Sequence, residues 1–228
     1  MARKQTDRTA ALTHAAARRA EEVLTVRLGI FGGTFDPVHI GHLVAAQVAL
    51  EQAGLDKVLF VPAGVNPLKV GKTISAGAHR LRMVELAVES SPQFAVSDWE
   101  LHRPGPSFTV DTLEHFHSVH PEAELFFIIG ADNLHILPKW RAVDRIMELA
   151  TVLAVTRPGF DLKTSACTAL ALYPEVAKRV QYVEIPGLNI SSTWIRERLV
   201  KNLSVEHLVP QKVIGYSEEN KLYERIPD

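Results

Sequence analysis

The chain is expected to fold as an α/β protein, a parallel sheet with helices on both faces. Three observations point there. Short apolar runs alternate along the 228 residues with stretches whose apolar positions recur at three and four. The runs read as buried strands, and strands that alternate with helices build parallel sheets covered on both sides. The composition, 46% hydrophobic and 22% charged with 13 Gly and 13 Pro, is that of an ordinary globular chain and far from a disordered or repetitive one.

In order, VRLGIF (26–31) reads as a buried strand. IGHLVAAQVALEQAG follows as a helix that ends at Gly54. KVLFVPA (57–63) is a second strand, and AHRLRMVELAVESS an amphipathic helix closed by Pro92. FAVSDWE reads as a short strand, with Asp98 and Glu100 decorating its end, and TVDTLEHFHSVH as a helix broken before Pro121. ELFFIIGAD (124–132) is the most apolar strand. AVDRIMELA leads as a helix into the strand TVLAVTRPG, and QYVEIP (181–186) is the last strand before a helix that starts near Ser191. Five or six parallel strands follow from this pattern, with ligands expected beyond their carboxyl ends.

No repeat or Ser/Gly linker divides the chain, so residues 26–228 are expected to form one domain behind an extension at 1–25. That extension reads as frayed or partly helical, with an organelle address as the minor alternative. Thr13, His14, Arg18 and Arg19 interrupt what a secretory signal would keep apolar, and Asp7, Glu21 and Glu22 are acids that a transit peptide avoids. With 25 basic against 26 acidic residues the chain has no global field to hold DNA or an anionic membrane, so phosphate chemistry must be local. No apolar stretch approaches the ~18 residues of a membrane span. Cys167 is the single cysteine, which excludes an internal disulfide and fits a cytoplasmic protein.

The strongest chemical signal follows the first strand: Gly32-Gly33-Thr34-Phe35-Asp36-Pro37-Val38-His39-Ile40-Gly41-His42. Two glycines let the chain turn and bring N–H groups close to a ligand, Pro37 shapes the exit, and a helix N-terminus attracts an anion. This describes a phosphate cradle without a Walker lysine. His39 and His42, three apart, project from one face if one helical turn holds both; such a pair alone is more often a solvated or structural one than a catalytic one.

Gly33 to His42 resembles the G-x-F-x-P-x-H-x-G-H signature of the nucleotidylyltransferase superfamily. Its last part resembles the corresponding motif of class I aminoacyl-tRNA synthetases, a reading that fails for want of a tRNA-binding region and a K-M-S-K-S-like loop. From about residue 27 to Tyr223 the chain is similar to the bacterial nicotinate-nucleotide adenylyltransferases. SFTVDTLE (107–114), IIGADNL (128–134), Trp140, TRPG (156–159) and ISSTWIRERL (190–199) come in that family's order. The resemblance implies a Rossmann-like fold of the nucleotidylyltransferase type. It also implies transfer of AMP from ATP to nicotinate mononucleotide, by in-line displacement without a covalent enzyme intermediate.

Carried over residue by residue, the resemblance makes His39, His42 and Arg196 the catalytic set. Gly32, Gly33, Thr34, Phe35, Lys69, Gly130, Asp132, Ser191 and Thr193 are expected at ATP, and Thr109 and Trp140 at nicotinate mononucleotide. Asp132 is read as accepting from ribose hydroxyls or as a helix N-cap, and Trp140 as stacking on the pyridine ring or covering the core. Mg²⁺ is expected with ATP and no protein carboxylate cage, no metal site of the protein's own, no nucleic-acid or membrane partner, and room for a homo-oligomer. The loop at 66–72 departs from the family by lacking its histidine, which leaves Lys69, then Lys72, as its basic residue. His102, His115, His117, His120 and His135 read as surface residues. The rival readings are a pantetheine-phosphate adenylyltransferase or glycerol-phosphate cytidylyltransferase, and a nucleotide-sensing domain without turnover.

Overall fold

In the computed structural model, residues 25–65, 74–156, 171 and 173–223 are described. Residues 1–24 of the extension at 1–25, the loop with Lys69 and Lys72, most of TRPG and Cys167 lie outside them.

The apolar runs become six strands: β1 (Arg27–Gly33), β2 (Lys57–Pro62), β3 (Phe94–Val96), β4 (Glu124–Gly130), β5 (Ala150–Thr156) and β6 (Val180–Glu184). They form one parallel sheet in the order β3-β2-β1-β4-β5-β6. Because β2 and β4 flank β1, the chain reverses its direction of winding between β1 and β4, and at such a point a crevice opens beyond the carboxyl ends.

The helices are α1 (Ile40–Gln52), α2 (Gly77–Val88), α3 (Thr109–Val119), α4 (Val143–Leu149), α5 (Pro174–Ala177), α6 (Ser192–Val200) and α7 (Gln211–Glu219). Alternation along the strands divides the core in two. Phe31, Phe60, Phe126 and Leu153 face α1, α2, α6 and α7, where Ala46, Met83, Ile195 and Val213 meet them. Ile30, Phe127, Ile129 and Val152 face Leu113 and Phe116 of α3 and Ile146 of α4. The parallel, two-faced sheet is therefore as expected.

Several boundaries differ. The strand expected over FAVSDWE stops at Val96, and residues Trp99–His102 form a 3-10 turn. Ser97 Oγ accepts from the Trp99 N–H at 3.3 Å, and that local bond turns the chain out of the ladder. The apolar strand ends at Gly130, where Ala131–Asn133 coil into another 3-10 turn. α2 ends at Val88, and a turn from Ser91 N–H to the Val88 carbonyl closes it before Pro92 is reached. α7 is not evident in the sequence, because Gly215 interrupts a pattern carried only by Val213, Ile214 and Ser217.

Candidate functional site

The carboxyl ends of β1 and β4 and the start of α6 enclose a cleft of about 660 Å³. Gly32, Gly33, Phe35, His39 and His42 line it from the first motif, Gly130 from the end of β4 and Asp132 from the turn after it, and Ser191, Thr193 and Arg196 from the last. Segments far apart in sequence thus meet at one place. Another crevice, 840 Å³ between α6 and α7, holds none of the expected site residues.

Each glycine of the first motif can be given a reason or denied one. A Cβ at Gly33 would lie 2.7 Å from the Phe35 ring, so only glycine admits that ring. Phe35 adopts φ +50° and is 1% exposed, edge-on to Phe31 and His42. Its side chain is a core plug beneath the cleft. At Gly32 a Cβ would make only ordinary contact, 3.5 Å from Phe127. At Gly41 it would press on the His39 ring at 3.0 Å, which is why a glycine separates the two motif histidines.

His39 is the N-cap of α1 in extended backbone, and the helix starts one residue later. The two imidazoles nonetheless come together, stacked with centroids 3.7 Å apart. The His39 N–H donates to His42 Nδ1 at 3.2 Å. An accepting Nδ1 carries no proton, so a neutral His42 bears its proton on Nε2. His39 is 5% exposed and His42 is half-buried.

At the other wall Ser191 caps α6, its Oγ accepting from the Trp194 N–H at 3.2 Å, and its own O–H remains a donor. Ser192 Oγ donates to the Pro37 carbonyl at 2.9 Å, which pins the start of α6 to the first motif. Arg196 Nη1 donates to the Asp36 carbonyl at 2.6 Å and Nη2 to Thr193 Oγ1 at 3.3 Å. Thr34 is buried under the turn, where its carbonyl accepts from Arg80 Nη1 at 2.9 Å. Arg80, in the middle of amphipathic α2, carries no sequence signal for this role.

Asp132 sits inside the short turn after β4, exposed at the lip of the cleft, and Gly130 holds the N-cap position. The N-cap alternative for Asp132 is therefore corrected. Thr109 and Trp140 lie outside the cleft lining, on the other face of the sheet. Thr109 is the first residue of α3, and Trp140 follows a 3-10 turn. Their segments adjoin: Arg141 lies over the Phe108 ring at 4.8 Å and pairs with Asp111 at 3.7 Å. Trp140 meets Phe127 edge-on at 6.0 Å, so its core-covering role is real. Phe127 is the ring that Gly32 faces, which puts the two halves back to back across the ends of β1 and β4.

Two surface readings need correction. His115 is half-buried and stacked on Trp99 at 4.3 Å, and burial lowers its pKa. Glu100 does not decorate a strand end. It is 6% exposed and its Oε1 accepts from Thr112 Oγ1 at 2.5 Å, tying the 3-10 turn to α3. Nothing in SDWEL announces this, because the turn that swings Glu100 inward is not encoded as an apolar position. Burial raises the Glu100 pKa, against hydrogen bonds from Thr112, Ser107 and the Gly64 backbone that lower it. With the folded value above the unfolded one, the folded state binds the proton more tightly, and stability is lost as pH rises through that interval. The wild type is therefore expected to gain thermal stability relative to Glu100→Gln as pH falls from neutrality towards the ordinary carboxylate range, and melting curves taken across that range check it.

The chain matches the family model described as cytidylyltransferase-like over residues 30–198. It is 41% identical over 198 residues to the nicotinate-nucleotide adenylyltransferase of Bacillus subtilis, covering 87% of this chain and 98% of that one. It is 45% identical over 197 residues to a protein of Corynebacterium kroppenstedtii named probable nicotinate-nucleotide adenylyltransferase, covering 86% and 90%. Among solved structures, the nicotinic acid mononucleotide adenylyltransferase of Plasmodium falciparum complexed with NaAD superposes with a TM-score of 0.69. At 20% identity, over 87% of this chain and 97% of that one, it shares the fold.

Proposed function

This chain belongs to the cytidylyltransferase-like family and within it to the nicotinate-nucleotide adenylyltransferases, and we propose that it moves AMP from ATP to the 5′-phosphate of nicotinate mononucleotide. The products are deamido-NAD and pyrophosphate, a step of NAD biosynthesis. The observation that carries this reading is the convergence of Gly33, His42, Asp132 and Arg196 on one cleft at the reversal point of the sheet. Residues 26–228 serve it as one nucleotidylyltransferase domain, in the cytoplasm, with the two nucleotides as its partners.

The chemistry asks little of a base. The acceptor phosphate is an anion at neutral pH and attacks the α-phosphorus directly; its P–O bond forms as the bond to the leaving pyrophosphate breaks. What the protein supplies is approximation, of the order of 7–11 kcal/mol, and stabilisation of charge on the phosphates. His42 donates from Nε2 to a phosphate oxygen, with His39 holding its tautomer and covering its ring. Arg196, Ser191 and Thr193 take the triphosphate at the α6 N-terminus. Asp132 accepts from ribose hydroxyls, and Lys69 is assigned to the nucleotide from the loop beyond the described residues. A Mg²⁺ bound with ATP would neutralise charge on the triphosphate, and no carboxylate of the chain is assigned to hold it. Thr109 and the open N–H groups of the first turn of α3 receive the nicotinate carboxylate, and Trp140 stacks on the pyridine.

A pyrophosphate-release assay comparing nicotinate mononucleotide, its amide and phosphopantetheine tests the reading; turnover confined to phosphopantetheine would overturn it. Arg196→Lys keeps the charge but cannot span both the Asp36 carbonyl and Thr193. It is expected to lower kcat/KM for ATP by about 10- to 100-fold with the acceptor KM little changed. Equal loss for both substrates in steady-state kinetics would instead indicate a displaced α6.

A further inference from the structure

We infer that Tyr223 is a positioning residue for the ATP half of the cleft, acting through Asp36 on Arg196. The inference rests on the proposed function for the identity of the nucleotide and goes beyond it in the residue assigned.

Asp36 is 3% exposed and every oxygen it has is engaged. Its Oδ1 accepts from the Tyr223 hydroxyl at 2.7 Å, its Oδ2 from the Ser75 N–H at 3.2 Å, and its carbonyl from Arg196 Nη1 at 2.6 Å. The cleft-lining arginine is thus anchored on the backbone of Asp36, with the carboxylate Oδ2 only 4.0 Å from the same nitrogen. Two acceptors compete for one guanidinium. A carboxylate attracts it more strongly than a carbonyl unless its charge is already served. Tyr223 and Ser75 serve it, one on each oxygen, and Arg80, 4% exposed, braces the same turn through the Thr34 and Ser75 carbonyls at 2.9 and 3.0 Å.

Tyr223 reaches Asp36 across a sequence separation of 187 residues, from the chain that follows α7, and it does not line the nucleotide cleft. Burial and the neighbouring Asp36 charge raise its pKa, so the phenol stays a donor at working pH. Without that donor, Arg196 is drawn from the carbonyl onto Oδ1 and Oδ2, and its free N–H groups turn from the triphosphate towards the interior.

Tyr223→Phe removes the hydroxyl, with its bond to Asp36 and its 3.7 Å contact with Met83 Sδ, and leaves the ring packed against the core. The variant is expected to weaken binding of a non-hydrolysable ATP analogue, by calorimetry, and to raise KM for ATP by about five- to tenfold. KM for the acceptor is expected to stay within about twofold. Adding Asp36→Asn removes the charge that pulls on Arg196, so the double variant is expected to recover ATP affinity. Unchanged ATP affinity, equal weakening of both substrates, failure of the double variant to recover, or a variant that does not fold would each overturn the inference. A wild type that binds the analogue but does not use nicotinate mononucleotide would overturn the proposed function alone, since the calorimetric comparison needs no acceptor.

Discussion

His42→Ala is expected to lower kcat by about 10²- to 10³-fold while the melting temperature stays near that of the wild type. The half-buried His42 ring packs edge-on against Phe35 with centroids 5.0 Å apart, a modest contribution to the core. Its Nδ1 is engaged by the His39 N–H at 3.2 Å, and the proposed role falls to Nε2. The loss is expected in kcat more than in KM, because the charge that it meets is greatest at the pentacoordinate α-phosphorus and on the departing oxygen. Normal turnover in this variant would remove His42 from the catalytic set. His39→Ala differs, since that ring is 5% exposed and stacked on its neighbour. It is expected to lose melting temperature as well as rate, and a loss of stability alone would make His39 a purely structural cap.

The second large effect is acceptor choice. kcat/KM for nicotinate mononucleotide is expected to exceed that for the nicotinamide analogue by at least about 10²-fold. A carboxylate accepts from both oxygens, whereas the amide turns an NH₂ towards donors and leaves a buried N–H unmet. The α3 N-terminus supports this: its Thr109 and Val110 N–H groups precede the first intrahelical bonds, which begin with Asp111 and Thr112 onto the Phe108 carbonyl. Arg141 and Arg103 both pair with Asp111, at 3.7 and 3.2 Å, which keeps that carboxylate from opposing the ligand's charge. Thr109→Val is expected to narrow the preference, and Trp140→Ala to weaken both acceptors alike, because stacking reads the ring and not its substituent. Comparable efficiency for acid and amide would leave an adenylyltransferase of this fold and overturn its assigned acceptor.

The site was legible where chemistry needs residue types at fixed short spacing. Gly33 to His42 spans one turn and the start of one helix, so the pattern carries its own geometry, and Ser191, Thr193 and Arg196 share the first turns of another. The parts that were not legible depend on long-range closure. Arg80 and Glu100 sit in stretches that read as amphipathic helix and strand end, and each is buried only because a distant segment brings its acceptors or donors. Tyr223 belongs to the same class, as does α7, whose short apolar stripe gains meaning only against α2.

By itself the sequence determined the alternation of strand and helix and the parallel sheet, because local periodicity suffices for these, and it marked the two motifs through their resemblance to a family. The tertiary structure alone decided the strand order β3-β2-β1-β4-β5-β6, and with it the crevice between β1 and β4 into which both motifs open. It also decided that Phe35 plugs the core beneath the cleft, that Glu100 turns inward and that Asp36 holds Arg196. Such outcomes follow from which surfaces are packed together and which polar groups must then find partners away from water. A residue's own neighbours in the chain do not encode that condition.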